Sequence, residues 1–145
     1  MKNKLILYGT ALLVFTGDLF VKGATAGKEQ ILIDGLLALR TCKNTGISFG
    51  LFSGNSTAIL ILTAAVLAAM ILFAHLKLKR PFPHFAFGLM IGGAAGNLFD
   101  RAVFGFVRDM FEFLFVDFSV FNLADCAVVC GAALIIGRLL FGKDN

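Results

Sequence analysis

The sequence predicts an α-helical membrane protein with four transmembrane helices and a small extracytoplasmic β-element between the first and second spans. Three observations carry that expectation. The 145 residues are 59% hydrophobic and only 15% charged, whereas a soluble domain has roughly half and a quarter. Four stretches approach the ~20 apolar residues that cross a bilayer. Seven of the 13 Lys and Arg fall at one end of those stretches, which orients them. Seventeen Phe, sixteen Gly and no Trp fit a chain solvated by lipid. This composition excludes an ordinary soluble enzyme, a disordered tail and a nucleic-acid-binding protein. The pI near 9.2 does not alter that, because a basic patch acquires meaning only from the side of the membrane it faces. Three Cys, an odd number, argue against a disulfide framework. The length suits one domain, residues 1–145.

The first span is expected over about residues 5–21, preceded by Lys2 and Lys4. Ala24-Thr25-Ala26 imitates the cleavage site of a secretory leader. Asp18 and Lys22, placed where a membrane helix would emerge, favour a retained span instead. Gln30 to Arg40 reads apolar, Asp34-Gly35, apolar, which signals a hairpin because Asp-Gly suits a type I′ turn. Ser53 to Thr57 offers a turn and a helix cap for a second span over 57–76. A short connection from Lys77 to His84 holds both prolines. The third and fourth spans are expected over 82–99 and 118–141. All four are apolar on every side, as lipid selects.

Lys2, Lys4, Lys77, Lys79, Arg80, Arg138 and Lys143 fall at one end of the predicted spans, which the positive-inside rule assigns to the cytoplasm. Both termini are then cytoplasmic. Eight of the nine carboxylates (all but Asp144) fall toward the outer side, so any chemistry is expected there. Charged residues at membrane depth are costly and are functional candidates by default.

Three clusters qualify. Asp18 and Lys22 are an i,i+4 pair at the outer end of the first span, suited to a helix salt bridge or to a supporting role. Gly92-Gly93-Ala94-Ala95-Gly96-Asn97-Leu98-Phe99-Asp100-Arg101 combines small residues that let helices approach with an amide, a carboxylate and a guanidinium. An Asp100–Arg101 pair would orient its neighbours. Asn122 and Asp125, i,i+3 at the start of the last span, suit a cap or a site. With Asp109 the chain offers two carboxylates flanking one outer loop. Two close carboxylates share a proton and supply an acid and a base together, titrating as a unit. Such a pair can activate water against an amide without a covalent intermediate.

Other constellations carry less. His75 and His84 lack Cys or carboxylate partners at metal spacing, so neither metal nor cofactor is expected. Cys126 and Cys130 suit small apolar positions, and Cys42 has no obvious partner. Ser48, Ser53, Ser56 and Ser119 are conceivable nucleophiles with Lys22 or Lys43 as base, but no motif favours them.

Five segments together resemble the prolipoprotein signal peptidases, or signal peptidase II family, over nearly the whole chain. Asp18-Leu19-Phe20-Val21-Lys22 is similar to a D-x-x-x-K motif, and Asn44-Thr45-Gly46-Ile47-Ser48-Phe49-Gly50 to N-x-G-x-[AS]-F-[GS]. Gly93 to Arg101 resembles the last nine positions of G-G-A-x-G-N-x-x-D-R. Gly105 to Asp109 resembles G-x-V-x-D, and Phe121 to Asp125 resembles F-N-x-A-D. Their joint order and spacing are specific, although each motif alone is modest. Leu19 stands where many members carry Gln, and Arg108 where an apolar residue is usual; both bear on fine substrate preference.

The resemblance implies that Asp109 and Asp125 are catalytic. It also implies that Asn44, Asn97, Arg101 and Asn122 line the site, and that Asp18, Lys22 and Asp100 support it. It implies an intramembrane aspartyl endopeptidase of the bacterial cytoplasmic (inner) membrane, with its active site toward the outer face. The substrate would be a prolipoprotein bearing a diacylglyceryl-Cys, cut just before that Cys. Membrane lipid would be a partner, and a globomycin-type cyclic peptide an inhibitor. The outer hairpin would cradle the substrate, and Phe111 to Asp117 would form an apolar lid. The alternative from another class is a small proton-coupled transporter or exporter, which would place an acid near mid-membrane. Two further readings are an assembly subunit whose acids only pair with Arg, and a Ser–Lys peptidase.

Overall fold

The computed structural model describes residues 2–46 and 55–141. In chain order it contains α1 (Lys2–Thr25), β1 (Gln30–Ile33), β2 (Leu37–Asn44), α2 (Ser56–Lys77), α3 (Pro81–Phe104), β3 (Val107–Phe113) and α4 (Leu123–Phe141). The chain is a mostly helical membrane protein. Three helices are long and apolar enough to cross a bilayer: Lys2–Thr25, Thr57–Lys77 and Leu123–Phe141. Helix α3 is as long as α1 but more polar, carrying His84, Asn97, Asp100 and Arg101.

Helix α3 is the hub, packing on α1, α2 and α4. Its small residues allow that. A Cβ at Gly92 would lie 2.5 Å from the Ala11 carbonyl oxygen and 2.7 Å from the Val14 Cβ, so the α1–α3 contact is backbone-close. Leu7, Ala74 and Ile91 join α1, α2 and α3 in a buried apolar cluster. At the same end, Asn3 Nδ2 donates to the Lys79 carbonyl at 2.7 Å, and the Arg138 guanidinium lies 5.6 Å from the Phe82 ring centroid. The start of α1, the end of α2, the start of α3 and the end of α4 therefore share one end of the bundle.

The opposite end carries a three-stranded antiparallel sheet in the order β1-β2-β3. The Asp34-Gly35 hairpin is present, with Gly35 at φ 67°. Its connection spans three residues, because Ile33 pairs with Leu37 after a register shift. The sheet is larger than expected from the sequence. Its third strand comes from between α3 and α4, so the β-element is not confined to the connection between the first two helices. Phe111 to Phe113, read from the sequence as part of a lid, belong to this strand.

The last helix also starts later than expected, at Leu123 rather than 118. The reason is a competing backbone pairing. Phe111 N–H donates to the Phe121 carbonyl at 2.8 Å, and Phe121 N–H donates back to the Phe111 carbonyl at 2.9 Å. Rings of Phe111, Phe113, Phe118 and Phe121 pack around that bridge, with Phe113 and Phe121 centroids 4.8 Å apart. Helix α2 begins where the turn residues indicated, although Asn55 makes no side-chain cap. The expectations for Ile47 to Gly50 (with Ser48), for Ser53 and for Lys143 lie outside the described residues.

The α1–α3 seam gives a direct test. Gly92→Ala should lower the thermal unfolding midpoint in detergent, costing about 1–3 kcal/mol through overpacking. Gly9→Ala, whose Cβ would meet nothing within 4 Å, should change stability by less than about 0.5 kcal/mol.

Candidate active site

At the sheet end of the bundle, charged and amide side chains from five elements converge. Helix α1 contributes Asp18 and Lys22, both buried although charged. Lys22 Nζ lies 2.7 Å from Asp18 Oδ2 and 3.2 Å from Asp100 Oδ2 of α3, and donates to Asn97 Oδ1 at 3.2 Å. Asp100 in turn receives the Arg108 guanidinium at 2.7 Å and the Arg108 backbone N–H at 3.0 Å. The result is a row of alternating sign, Asp18–Lys22–Asp100–Arg108, with no net charge to desolvate alone.

This row departs from the sequence reading in one respect. Asp100 pairs with Lys22 and Arg108, not with its neighbour Arg101. Adjacent residues on a helix point about 100° apart, so they rarely pair. Arg101 instead donates from Nη2 to the Gly46 carbonyl at 2.9 Å. Its buried Nε has no hydrogen-bond partner among the described residues. Arg108, absent from the sequence-derived site, belongs to the row; the missed signal was the need for a second cation to balance Asp100.

The row positions the amides and the remaining carboxylates. Asp18 Oδ1 accepts the Ala124 N–H at 3.0 Å, so a carboxylate of α1 caps the first turn of α4 and complements its dipole. Asp18 fits there because α3 has glycine opposite; a Cβ at Gly96 would lie 2.5 Å from Asp18 Oδ2. Asn122 and Asp125 form a reciprocal capping box. The Asp125 N–H donates to Asn122 Oδ1 at 2.9 Å, and the Asn122 N–H donates to Asp125 Oδ2 at 3.2 Å.

The other end of the Asn122 side chain bridges outward. Its Nδ2 donates to Asp109 Oδ1 at 2.6 Å and to Asn97 Oδ1 at 3.0 Å. Asn97 Nδ2 then donates to Asp125 Oδ1 at 2.7 Å. Asp109, on β3, takes its other bond from Asn44 Nδ2 of β2 at 3.0 Å. Asp109 and Asp125 are thus both hydrogen-bonded to Asn122, one through its amide and one through its backbone. All nine residues singled out from the sequence meet here: Asp18, Lys22, Asn44, Asn97, Asp100, Arg101, Asp109, Asn122 and Asp125.

Burial pushes the Asp109 carboxyl up to about 6. The Asn44 and Asn122 hydrogen bonds and the Lys22 charge oppose that rise, whereas the nearby Asp125 charge adds to it. A carboxyl poised near neutrality, beside a second carboxylate and a buried guanidinium, can exchange a proton with a substrate. Cys42 faces Asp109 across the β2–β3 pairing and is a free thiol, as are Cys126 and Cys130.

Removing the central cation should be severe. Lys22→Met is expected to cost about 3–5 kcal/mol in denaturant unfolding, because it leaves the buried Asp18 carboxylate without a cation while Asp100 keeps only Arg108. Adding Asp18→Asn should recover part of that loss, with a coupling above about 1 kcal/mol.

The site's motifs have counterparts in known proteins. The family model for signal peptidase (SPase) II matches residues 10–141. A lipoprotein signal peptidase of Brevibacillus brevis is 34% identical over 137 residues, covering 93% of this chain and 92% of that protein. One from Syntrophomonas wolfei is 40% identical over 120 residues, covering 80% and 77% respectively. The fold is similar to a bacterial membrane enzyme solved by the in meso method at 2.3 Å. The TM-score is 0.85 at 31% identity, covering 96% of this chain and 87% of that one. With its motifs converging on one site and its family model matched across nearly its full length, the chain belongs to the signal peptidase II family.

Proposed function

We propose that the chain removes the signal peptide from bacterial prolipoproteins as an intramembrane aspartyl endopeptidase. It cuts the amide just before a Cys that carries a diacylglyceryl group. The observation that carries this reading is the binding of two carboxylates, Asp109 and Asp125, to the one residue Asn122. Close carboxylates hold one proton between them and titrate as a pair. The ionised carboxylate takes a proton from water as the oxygen attacks the scissile carbonyl. The protonated carboxyl delivers its proton to the leaving nitrogen as the C–N bond breaks. The products are a new carboxyl terminus and the free amine of the lipidated Cys.

Arg101 serves the substrate rather than the proton, whereas Asn97 lines the site by holding Asp125. Arg101 carries a buried N–H without a partner among the described residues, a ready donor to a peptide carbonyl. Asn44 and Asn122 hold Asp109 in place, while Asp18, Lys22 and Asp100 hold the frame. The diacylglyceryl group anchors the substrate at the outer leaflet, since each buried CH₂ contributes about 0.8 kcal/mol. Confinement at that depth removes much of the entropy cost of alignment. A globomycin-type cyclic peptide would compete for the same groove.

In this reading α3 is a fourth span, and residues 1–145 form a single peptidase domain. Three apolar helices pack around α3, which shelters its polar residues from lipid, and at ~1.5 Å per residue its 24 residues are long enough to cross. Both termini face the cytoplasm, beside Lys77, Lys79 and Arg80, and the carboxylates face outward. The helical carboxylates Asp18, Asp100 and Asp125 lie at one end of the bundle. A proton-coupled exporter needs an acid near mid-membrane, so that alternative loses its main support. The family match also favours the peptidase.

Purified protein in detergent should cleave a diacylglyceryl-modified prolipoprotein. Asp109→Asn and Asp125→Asn, checked for native unfolding midpoints, should each lose at least about 10³-fold in kcat/KM. Robust cleavage by either would remove that residue from catalysis.

The pH profile is a separate check. The Asp109 carboxyl, held near 6, keeps its proton below that value and loses it above. Wild-type kcat/KM should therefore fall as pH rises through about 6. Asn44→Ala removes a bond that favours the ionised form, so the alkaline limb should move to higher pH.

A further inference from the structure

At the end of the bundle opposite the carboxylates lies a cavity of about 370 Å³, lined by Lys2, Asn3, Lys4, Leu78 and His84. We propose that it is a binding site for an acidic phospholipid whose headgroup carries a free hydroxyl, such as a glycerophosphate. None of this serves peptide cleavage at the other end. That volume leaves room for a headgroup rather than a bare ion.

The lining is chemically one-sided. It has two lysines and, among the described residues, no carboxylate. Lys4 is held in place: its Nζ donates to His75 Nε2 at 2.9 Å, and Tyr8 OH lies 3.1 Å from His75 Nδ1. A ring that accepts at Nε2 is neutral and donates from Nδ1, so His75 leaves the Lys4 charge uncancelled, with further N–H groups to offer. Asn3 is tied to the Lys79 carbonyl at 2.7 Å. The cavity also adjoins the start of α3, which has no side-chain cap and whose dipole favours an anion.

His84 supplies the second feature. Only 3% of it is exposed, yet it lines the cavity. Its Nδ1 lies 2.6 Å from the Arg80 carbonyl, so that nitrogen carries the hydrogen, and in the neutral ring Nε2 is then the acceptor. An acceptor beside two ammonium groups suits a ligand that brings both a phosphate and a hydroxyl: the phosphate pairs with Lys2 and Lys4, and the hydroxyl donates to His84 Nε2. Basic pockets between membrane helices on the cytoplasmic side take acidic headgroups in this way, and the orientation proposed above puts this end there.

The test is a titration of the full chain in neutral detergent, reading the thermal midpoint against added lipid. Short-chain phosphatidylglycerol should raise the midpoint. Phosphatidylcholine of the same chain length should do so at least tenfold less effectively, and phosphatidylmethanol, anionic but lacking a headgroup hydroxyl, should fall between them.

Lys2→Gln should weaken phosphatidylglycerol binding about fivefold, the factor matching the ~1 kcal/mol each surface lysine contributes near anionic lipid. Adding Lys4→Gln should bring the loss to about 25-fold. His84→Phe should remove the preference over phosphatidylmethanol. Lys77→Gln with Lys79→Gln, equal in charge but outside the lining, should change binding less than twofold.

Equal losses in that control pair would reduce the effect to diffuse charge and overturn the site. Equal protection by phosphatidylcholine would overturn the headgroup assignment, as would equal protection by inorganic phosphate. These readouts do not involve cleavage, so they stand or fall independently of the peptidase reading.

Discussion

The fold turns on one buried ammonium group. Lys22 is 1% exposed, in a chain whose helices, Asp18, His84 and Asp100 apart, bury Leu, Ile, Ala and Gly. A lone charge there would be prohibitively costly, and the chain answers with Asp18, Asp100 and the Asn97 carbonyl oxygen within 3.2 Å. Such a set contributes little net stability over an apolar replacement. What it contributes is position, since Lys22 reaches its partners only when α1 and α3 are in one register. Arg108 and the Ala124 N–H extend the same row to β3 and α4.

From that frame the amides do the finer work. Asn97 accepts from Lys22 and Asn122 and donates to Asp125; Asn122 caps α4 and donates to Asp109. Each amide end has a fixed donor or acceptor role because its neighbour leaves no choice, so the amides cannot turn without breaking a bond. The two carboxyls are consequently fixed relative to each other before any substrate arrives. The peptidase mechanism proposed above, hydrolysis by a paired acid and base, requires such preorganisation. The site is also asymmetric: Asp109 sits on a strand, almost fully buried, whereas Asp125 sits in a helix's first turn, half-exposed.

Much of this was legible in the residues, for physical reasons that also mark the limit. Apolar length identifies helices regardless of context, and the Asp34-Gly35 hairpin follows from a conformation few other pairs adopt. Polar residues in apolar surroundings stand out by cost, which is why Asp18, Lys22, Asn97, Asp100 and Asn122 could be found. The β3 strand could not. Val107 to Phe113 carries apolar groups on both faces, Met110 on one and Val107, Phe111 and Phe113 on the other, so the two-residue alternation that signals a strand is blurred. Pairing partners were equally hidden: Asp100 chose Arg108 over Arg101 through tertiary geometry that spacing does not encode.

The bridge between Phe111 and Phe121 shows why the late start of α4 matters to the site. Were α4 to continue upstream through Phe118, Asn122 would lie in mid-helix, its backbone N–H bonded to residue 118 and its side chain no longer a cap. Asp125 would then lose the N–H it accepts, and Asp109 its shortest hydrogen bond. The backbone pairing with β3 stops the helix one residue before Leu123 and frees Asn122 to serve both carboxylates. An aromatic cluster at the sheet end of the bundle thus sets where a helix begins, and that boundary sets the geometry of the carboxylate pair.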